Sequence, residues 1–279
     1  MKNNITVKSA IDKVNIMMWD GQKDGHNSLR NAKVFSKWHG SPKFMNDVST
    51  ETVREYKFYQ KNKLEYKPGT INRKLAALSK LVTYVSGCKG FTFNWGRPII
   101  EYDRTNNRRK FTVSIDVEDK LINKTIELGY KDKADLWIFL IDVGCRVGES
   151  LKLRWEQIDL ENGFVKFFDT KNGEDREIPF LGRVKSMLEK RKKDGNLRPF
   201  PFSISSVEWT WRKVRKELNM TNEKDFVIHS LRHTCITRLL KRGIGIEVVQ
   251  LVVGHHDIRQ TQGYNHPSKE DLRDAINNH

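Results

Sequence analysis

Two Asn-Gly pairs, Asn162-Gly163 and Asn172-Gly173, stand ten residues apart in a chain whose apolar residues otherwise recur at helical spacing. Asn-Gly accepts the positive φ angles of the tightest hairpin turns. Around the pairs the pattern turns strand-like: Ile158-Asp-Leu-Glu, then Phe164-Val-Lys-Phe-Phe168, then Arg176-Glu-Ile-Pro179. This predicts a small antiparallel sheet of about three strands. A chain that must hold one short meander among helices is mainly α with a small antiparallel β-sheet, an α+β class.

Ahead of the sheet, Val7, Ala10, Ile11, Val14, Met17 and Met18 fall on one face of a helix that Thr6 can cap and that runs to about Trp19. Further helices are expected over residues 28–38, 50–61 and 70–85. The last carries the stripe Ile71, Leu75, Leu78, Val82 and Val85, with Pro68-Gly69 at its start and Gly87 at its end. Residues 1–97 therefore read as a small helical domain with basic outer faces, and Arg73, Lys74 and Lys80 lie off the stripe. Residues 98–110 crowd Arg104, Arg108, Arg109 and Lys110 beside Asn106-Asn107 and read as a basic linker. Residues 111–279 form the second domain, with helices at 116–128 and 132–143 before the sheet. Leu151, Leu153 and Trp155 are expected in its core. Helices at 183–191, 206–218, 230–242 and 248–253 follow, the last as buried core, and residues 271–277 form a short polar one.

Lysine and arginine number 51 against 35 acidic residues, a net charge of +16. Such a surplus favours a polyanionic partner, most often nucleic acid. An acidic membrane is the alternative, but no basic amphipathic helix with a bulky apolar face and no lipidation signal is present. The longest apolar runs, at 137–141 and 248–253, are far too short to cross a bilayer. The opening Met1-Lys-Asn-Asn has no hydrophobic stretch. Cys88, Cys145 and Cys235 are widely spaced with no CxxC, which fits a cytoplasmic protein. Arg73, Lys74, Arg108 and Arg109 are the candidates for contacts to a DNA backbone. A solvated face or a flexible tether accounts for the same residues.

Chemistry concentrates in three stretches. His229-Ser-Leu-Arg232-His233-Thr leads to Gly254-His255-His256 and to Tyr264. Gly144-Cys-Arg146-Val-Gly-Glu149 and Thr170-Lys171-Asn-Gly173 are the other two. Enzymes remove roughly 8–23 kcal/mol from such barriers, and one donor to a developing oxyanion supplies only about 3–4 kcal/mol. A metal-free phosphodiester site therefore needs several cations, and arginine grips two oxygens at once. A metal nuclease could use Asp169-Thr-Lys171 with Asp159 or Glu161, but acids are sparse and a turn follows at once. His229 and His233 have zinc-ligand spacing, without an HExxH or a nearby carboxylate. Alone, Arg146 beside Glu149 is a plain ion pair, Lys171 a turn lysine, and Tyr264 one of seven tyrosines.

Together they resemble the tyrosine recombinases, the phage-integrase family. Gly144 to Trp155 is similar to that family's first box, Thr170-Lys171-Asn-Gly to its hairpin lysine, and His229 through Leu251-Val-Val-Gly254-His255 to Tyr264 to its second box and nucleophile. The helix opening Thr70-Ile71-Asn72-Arg73-Lys-Leu75 resembles its core-binding domain. Ser150 and Val252 depart from the usual apolar residue and leucine. The resemblance implies a core-binding domain at 1–97 and a catalytic domain with a C-terminal tail at 111–279. Arg146 and Arg232 would clamp the scissile phosphate and Tyr264 would form a 3′-phosphotyrosine. Lys171 would protonate the leaving 5′-oxygen, His229 would pass protons, His255 would hydrogen-bond the phosphate and Glu149 would orient the site.

The implied function is site-specific recombination that integrates a phage or mobile element, without metal or ATP. The implied partners are double-stranded DNA gripped by a C-shaped clamp, a homotetramer at synapsis, and accessory DNA-bending or directionality proteins. The setting is the cytoplasm, in a bacterial host if the element is a phage. The nearest alternative is an Xer-like recombinase that resolves chromosome dimers. A type IB topoisomerase and a DNA-binding protein with a dead active site stand further off.

Overall fold

The Thr6 hydroxyl accepts the Ser9 N–H and starts α1 (Val7–Val14), which buries Val7, Ala10, Ile11 and Val14. The computed structural model describes residues 4–22, 24–40, 43–105, 111–168, 175–180, 182–255, 257–264 and Arg273. After α1 the chain widens into a π-helical turn, Asn15–Trp19, closed by the Asp20 N–H on the Asn15 carbonyl at 2.7 Å. The wider turn rotates whatever follows it. Met17 and Met18, expected on the buried stripe, are therefore 66% and 39% exposed, and Trp19 is buried instead.

Two compact units divide the chain, Met1–Asn107 and Arg108–His279. In the first, α2 (Gly25–His39) and α3 (Thr50–Asn62) surround α4 (Pro68–Ser86), with Pro68 in the first turn where its missing N–H costs nothing. Because α4 packs against α1, α2 and α3, its buried arc is wider than one stripe. That arc takes in Lys74, which the sequence placed off the stripe. Its ammonium reaches Asn31 Oδ1 at 3.5 Å and lies over the Tyr66 ring. Burial, then Arg30 and Arg73, lower its pKa. Arg73 stays exposed and donates from Nε to the Gly69 carbonyl. Residues 98–103, read as the start of a linker, lie tied to α3 and α4. Thr50 Oγ1 accepts the Ile99 N–H, Asn72 exchanges two hydrogen bonds with Asp103, and Lys57 pairs with Asp103 at 2.6 Å. Arg108 and Arg109 lie outside the described residues.

In the second unit α5 (Ile115–Glu127) and α6 (Lys131–Val143) pack on a core that includes Trp137, Phe139, Phe200 and Phe226. The Trp137 N–H is satisfied by Thr125 Oγ1 at 3.2 Å. A single short turn, α7 (Val147–Ser150), precedes β1 (Ile158–Asp159), β2 (Phe164–Phe167) and β3 (Arg176–Pro179). They form the expected antiparallel sheet in the order β1-β2-β3. Its register sets Ile158, Val165 and Ile178 side by side on the buried face. The Asn172-Gly173 pair lies outside the described residues. Leu153 is buried, whereas Leu151 and Trp155 are half-buried at the core's edge.

Beyond the sheet come α8 (Arg183–Lys193), α9 (Ile204–Glu217), α10 (His229–Lys241), α11 (Ile246–Val253) and α12 (Ile258–Gln262). Helix α11, expected as buried core, is two-sided. Val249 and Val253 are inside, while Val248 and Leu251 are 52% and 73% exposed. Of the expected terminal helix, only Arg273 is described.

One buried cation ties α8 to α6. Arg191 on α8 is buried and pairs with Asp132 at 2.8 Å and Asp135 at 2.9 Å on α6, while its Nε donates to the Pro199 carbonyl. Removing one partner of a buried pair strands the other charge. Arg191→Ala should therefore cost about 3 kcal/mol in urea unfolding; an unchanged midpoint would rule out that role.

Candidate active site

Helix α6 stops at Gly144, whose φ of +68° belongs to the left-handed region. A Cβ there would lie 2.7 Å from Cys235 Sγ on α10, so only glycine lets the two helices meet. The chain then leaves α6 in an extended step and presents Arg146 at the start of α7. Glu149, three residues on, accepts both the Arg146 N–H and its Nη1, each at 2.8 Å. Arg146 Nη2 donates to the Gly254 carbonyl at 3.3 Å.

Arg232 sits one turn into α10 and is only 2% exposed. It donates from Nη1 to the Gly144 carbonyl at 2.7 Å and from Nη2 to the Val253 carbonyl at 2.6 Å. One guanidinium thus joins the ends of α6 and α11, whose terminal carbonyls suit a cation. Burial, then neighbouring Arg146, pull its pKa down to about 10. It remains a cation at neutral pH.

Gly254 ends α11 at φ +63° and turns the chain to His255. The His255 Nδ1 lies 2.9 Å from Thr261 Oγ1 on α12, and Gln250 Nε2 donates to its carbonyl. Burial first, then Arg232, Arg146, His229 and His233, lower its pKa to about 3. Its ring is neutral at physiological pH. Helix α12 delivers Tyr264, whose ring lies 4.9 Å from that of His233 and 6.1 Å from that of His255. His233 in turn meets the His229 ring edge-on at 4.8 Å. Ile236, Val249 and Val253 back the tyrosine. Burial raises the phenol's pKa, partly offset by Arg232.

Five of the six expected catalytic side chains therefore share one cluster: Arg146, His229, Arg232, His255 and Tyr264. Lys171 lies outside the described residues, and Arg73 and Lys74 belong to the other unit. Among the described residues no group of three or more His, Cys, Asp or Glu could hold a metal ion.

Arg176 and Thr261 are members that the sequence reading did not single out. Arg176 opens β3 opposite Phe167 and reaches Glu149 through Nη2 at 2.6 Å and Nη1 at 3.4 Å. Burial works against ionisation of Glu149, but Arg176 and then Arg146 outweigh it and hold its pKa below the ordinary value. A signal was available. Arg176 and Ile178 share a strand face, and Ile178 points to the core, so the arginine needs an acid waiting there.

The low pKa of His255 sets a pH dependence. Unfolded, its imidazole takes a proton near its ordinary pKa of 6.5; folded, it does so only near 3. Stability is therefore present above 6.5 and lost as pH falls between the two values. The slope is at most about 1.4 kcal/mol per pH unit, and partial exposure of the ring reduces it. Urea titrations at pH 6.5 and 4.5 should show wild type losing roughly 1 kcal/mol more than His255→Gln. Equal losses would contradict the buried neutral imidazole.

Guanidiniums thus gather beside a phenol on a mainly helical unit with one three-stranded sheet. The chain belongs to the phage integrase family, whose model matches residues 113–271, more than half of its length. It is 36% identical over 167 residues to tyrosine recombinase XerA of Saccharolobus solfataricus, covering 60% of this chain and 56% of that one. The chain thus spans little more than half of that relative. It is 28% identical to a tyrosine recombinase of Pseudothermotoga lettingae, over 84% of this chain and 83% of that one. The fold matches the Tn1549 transposon integrase in complex with a circular intermediate DNA, with a TM-score of 0.79 at 17% identity over 99% of this chain and 100% of that one.

Proposed function

We propose that this chain cuts and rejoins double-stranded DNA as a site-specific recombinase, with Tyr264 as nucleophile. The observation that carries the reading is the placement of the Tyr264 ring against His233 and His255, with Arg232 close enough to stabilise its phenolate. Arg146 and Arg232 hold the two non-bridging oxygens of one phosphate, each guanidinium turning from a backbone carbonyl to the anion. Tyr264 Oη attacks phosphorus, its proton passing to the His229 side of the cluster. The P–O5′ bond breaks and Lys171 supplies the proton for the leaving oxygen. The new P–O bond to tyrosine conserves the energy of the old one, so ATP is not required, and the clustered guanidiniums supply the positive charge that a metal would otherwise bring. His255, uncharged, gives a hydrogen bond from Nε2 when Thr261 holds Nδ1.

The DNA is that of a phage or other mobile element inserting into a host chromosome, with four copies of the chain at synapsis and accessory bending or directionality proteins alongside. The likeness to the Tn1549 integrase supports this role. The likeness to XerA supports a second reading, resolution of chromosome dimers. The test is covalent trapping. The protein is incubated with nicked duplexes from a randomised pool, and peptide–DNA adducts are isolated and mapped by mass. The expected product joins Tyr264 to a 3′-phosphate on a recurrent sequence. Rapid relaxation of supercoiled plasmid lacking that sequence would instead favour a topoisomerase.

A further inference from the structure

The Glu149 carboxylate is shared by two guanidiniums, and only one of them is in the phosphate clamp described above. We propose that Arg176 is a positioning residue that neutralises Glu149, so that Arg146 keeps its positive charge for the scissile phosphate. This rests on the recombinase reading.

The geometry fits that task. Arg176 meets Glu149 with both Nη atoms, its Nε has no hydrogen-bond partner among the described residues, and its side chain is only 8% exposed. Its guanidinium lies over the Phe167 ring at 4.9 Å. On the other side it fills the space above Gly254. A Cβ on that glycine would meet Arg176 Nη1 at 3.0 Å and Cδ at 3.1 Å. The Gly254 carbonyl is itself the acceptor for Arg146 Nη2. Arg176 therefore touches both anchors of Arg146, the carboxylate and the turn before His255.

Charge gives the reason. Glu149 and Arg146 alone make a neutral pair, and pulling Arg146 away to a phosphate would leave a half-buried carboxylate uncompensated. With Arg176 present, three guanidiniums, Arg146, Arg176 and Arg232, face one acid. Glu149 stays paired when Arg146 turns, and the site keeps a net charge of two positive units for an incoming dianionic transition state.

The experiment is single-turnover adduct formation on the trapped duplex, with Kd for uncleaved duplex measured in a Tyr264→Phe background. Arg176→Met should form adduct about 10–100-fold more slowly, the usual size of losing a group that orients a ligand. Its Kd should stay within about threefold, close to the additivity error of independent sites. In a Glu149→Gln background there is no carboxylate to neutralise, and Arg176→Met should then change the rate by less than about threefold. A merely structural role would not be rescued this way. Wild-type rates in Arg176→Met, or an equal loss in both backgrounds, would overturn the proposal. If Arg176→Met fails to fold, Arg176→Gln carries the same comparison, because its amide can still donate to Glu149 but brings no charge to neutralise it. Wild-type protein that forms no adduct at all overturns the recombinase reading itself, whereas normal wild-type cleavage with an indifferent Arg176 overturns only this one.

Discussion

Tyr264→Phe should form no covalent adduct with a nicked duplex, while binding that duplex as tightly as wild type. The substitution removes one oxygen and leaves the ring. That ring's contacts with His233 and His255, and its backing by Val249 and Val253, depend on shape and remain. Stability should therefore hold to within about 1 kcal/mol. The chemistry has no such reserve. A cluster acting as one unit loses on the order of 10⁴-fold or more when its nucleophile goes, and no other described tyrosine makes these ring contacts. Denaturing gels after single-turnover incubation read the adduct, and fluorescence anisotropy reads the binding. An adduct that survives the substitution places the nucleophile elsewhere and dismantles the proposed mechanism.

Parts of this site were legible in the sequence because they are local. Gly144 and Gly254 end helices, and each delivers a candidate site residue one or two positions on, so the spacing of Arg146 and His255 from those glycines carries structural meaning. His229, Arg232 and His233 share one helix, and their relative placement follows from its period. The sheet followed from two turn pairs and strand alternation. What stayed hidden depends on contacts between distant segments. Arg176 is an ordinary strand residue until the sheet brings it to Glu149, 27 positions earlier. Lys74 reads as an outer-face lysine until three helices close around α4. Met17 and Met18 obey the helical period in sequence, and a π-turn of five residues breaks it. No local pattern announces that turn, which leaves Trp19 in the core of its unit.

Arg232→Lys should slow adduct formation by about 10³-fold while weakening duplex binding less than about tenfold. Arg232 has two tasks that lysine cannot both perform. It spans two carbonyls, of Gly144 and Val253, with separate nitrogens. Lysine satisfies one and leaves the other short of a donor, at a cost of about 1–3 kcal/mol in stability. Arg232→Ala leaves both short and risks unfolding the junction of α6, α10 and α11, which is why lysine is the sharper probe. In the proposed reaction, a planar fork would grip two oxygens of the phosphate as charge builds, whereas an ammonium would grip one. Losing one such donor costs about 10²–10³-fold, and the loss of fixed orientation adds to it. Binding of an intact duplex would draw on many phosphate contacts across a strongly basic chain, so one buried cation should contribute little there. The ratio of the two losses is the decisive quantity. If affinity falls by the same factor as rate, Arg232 holds ground state and transition state alike, and its assignment to the transition state is wrong.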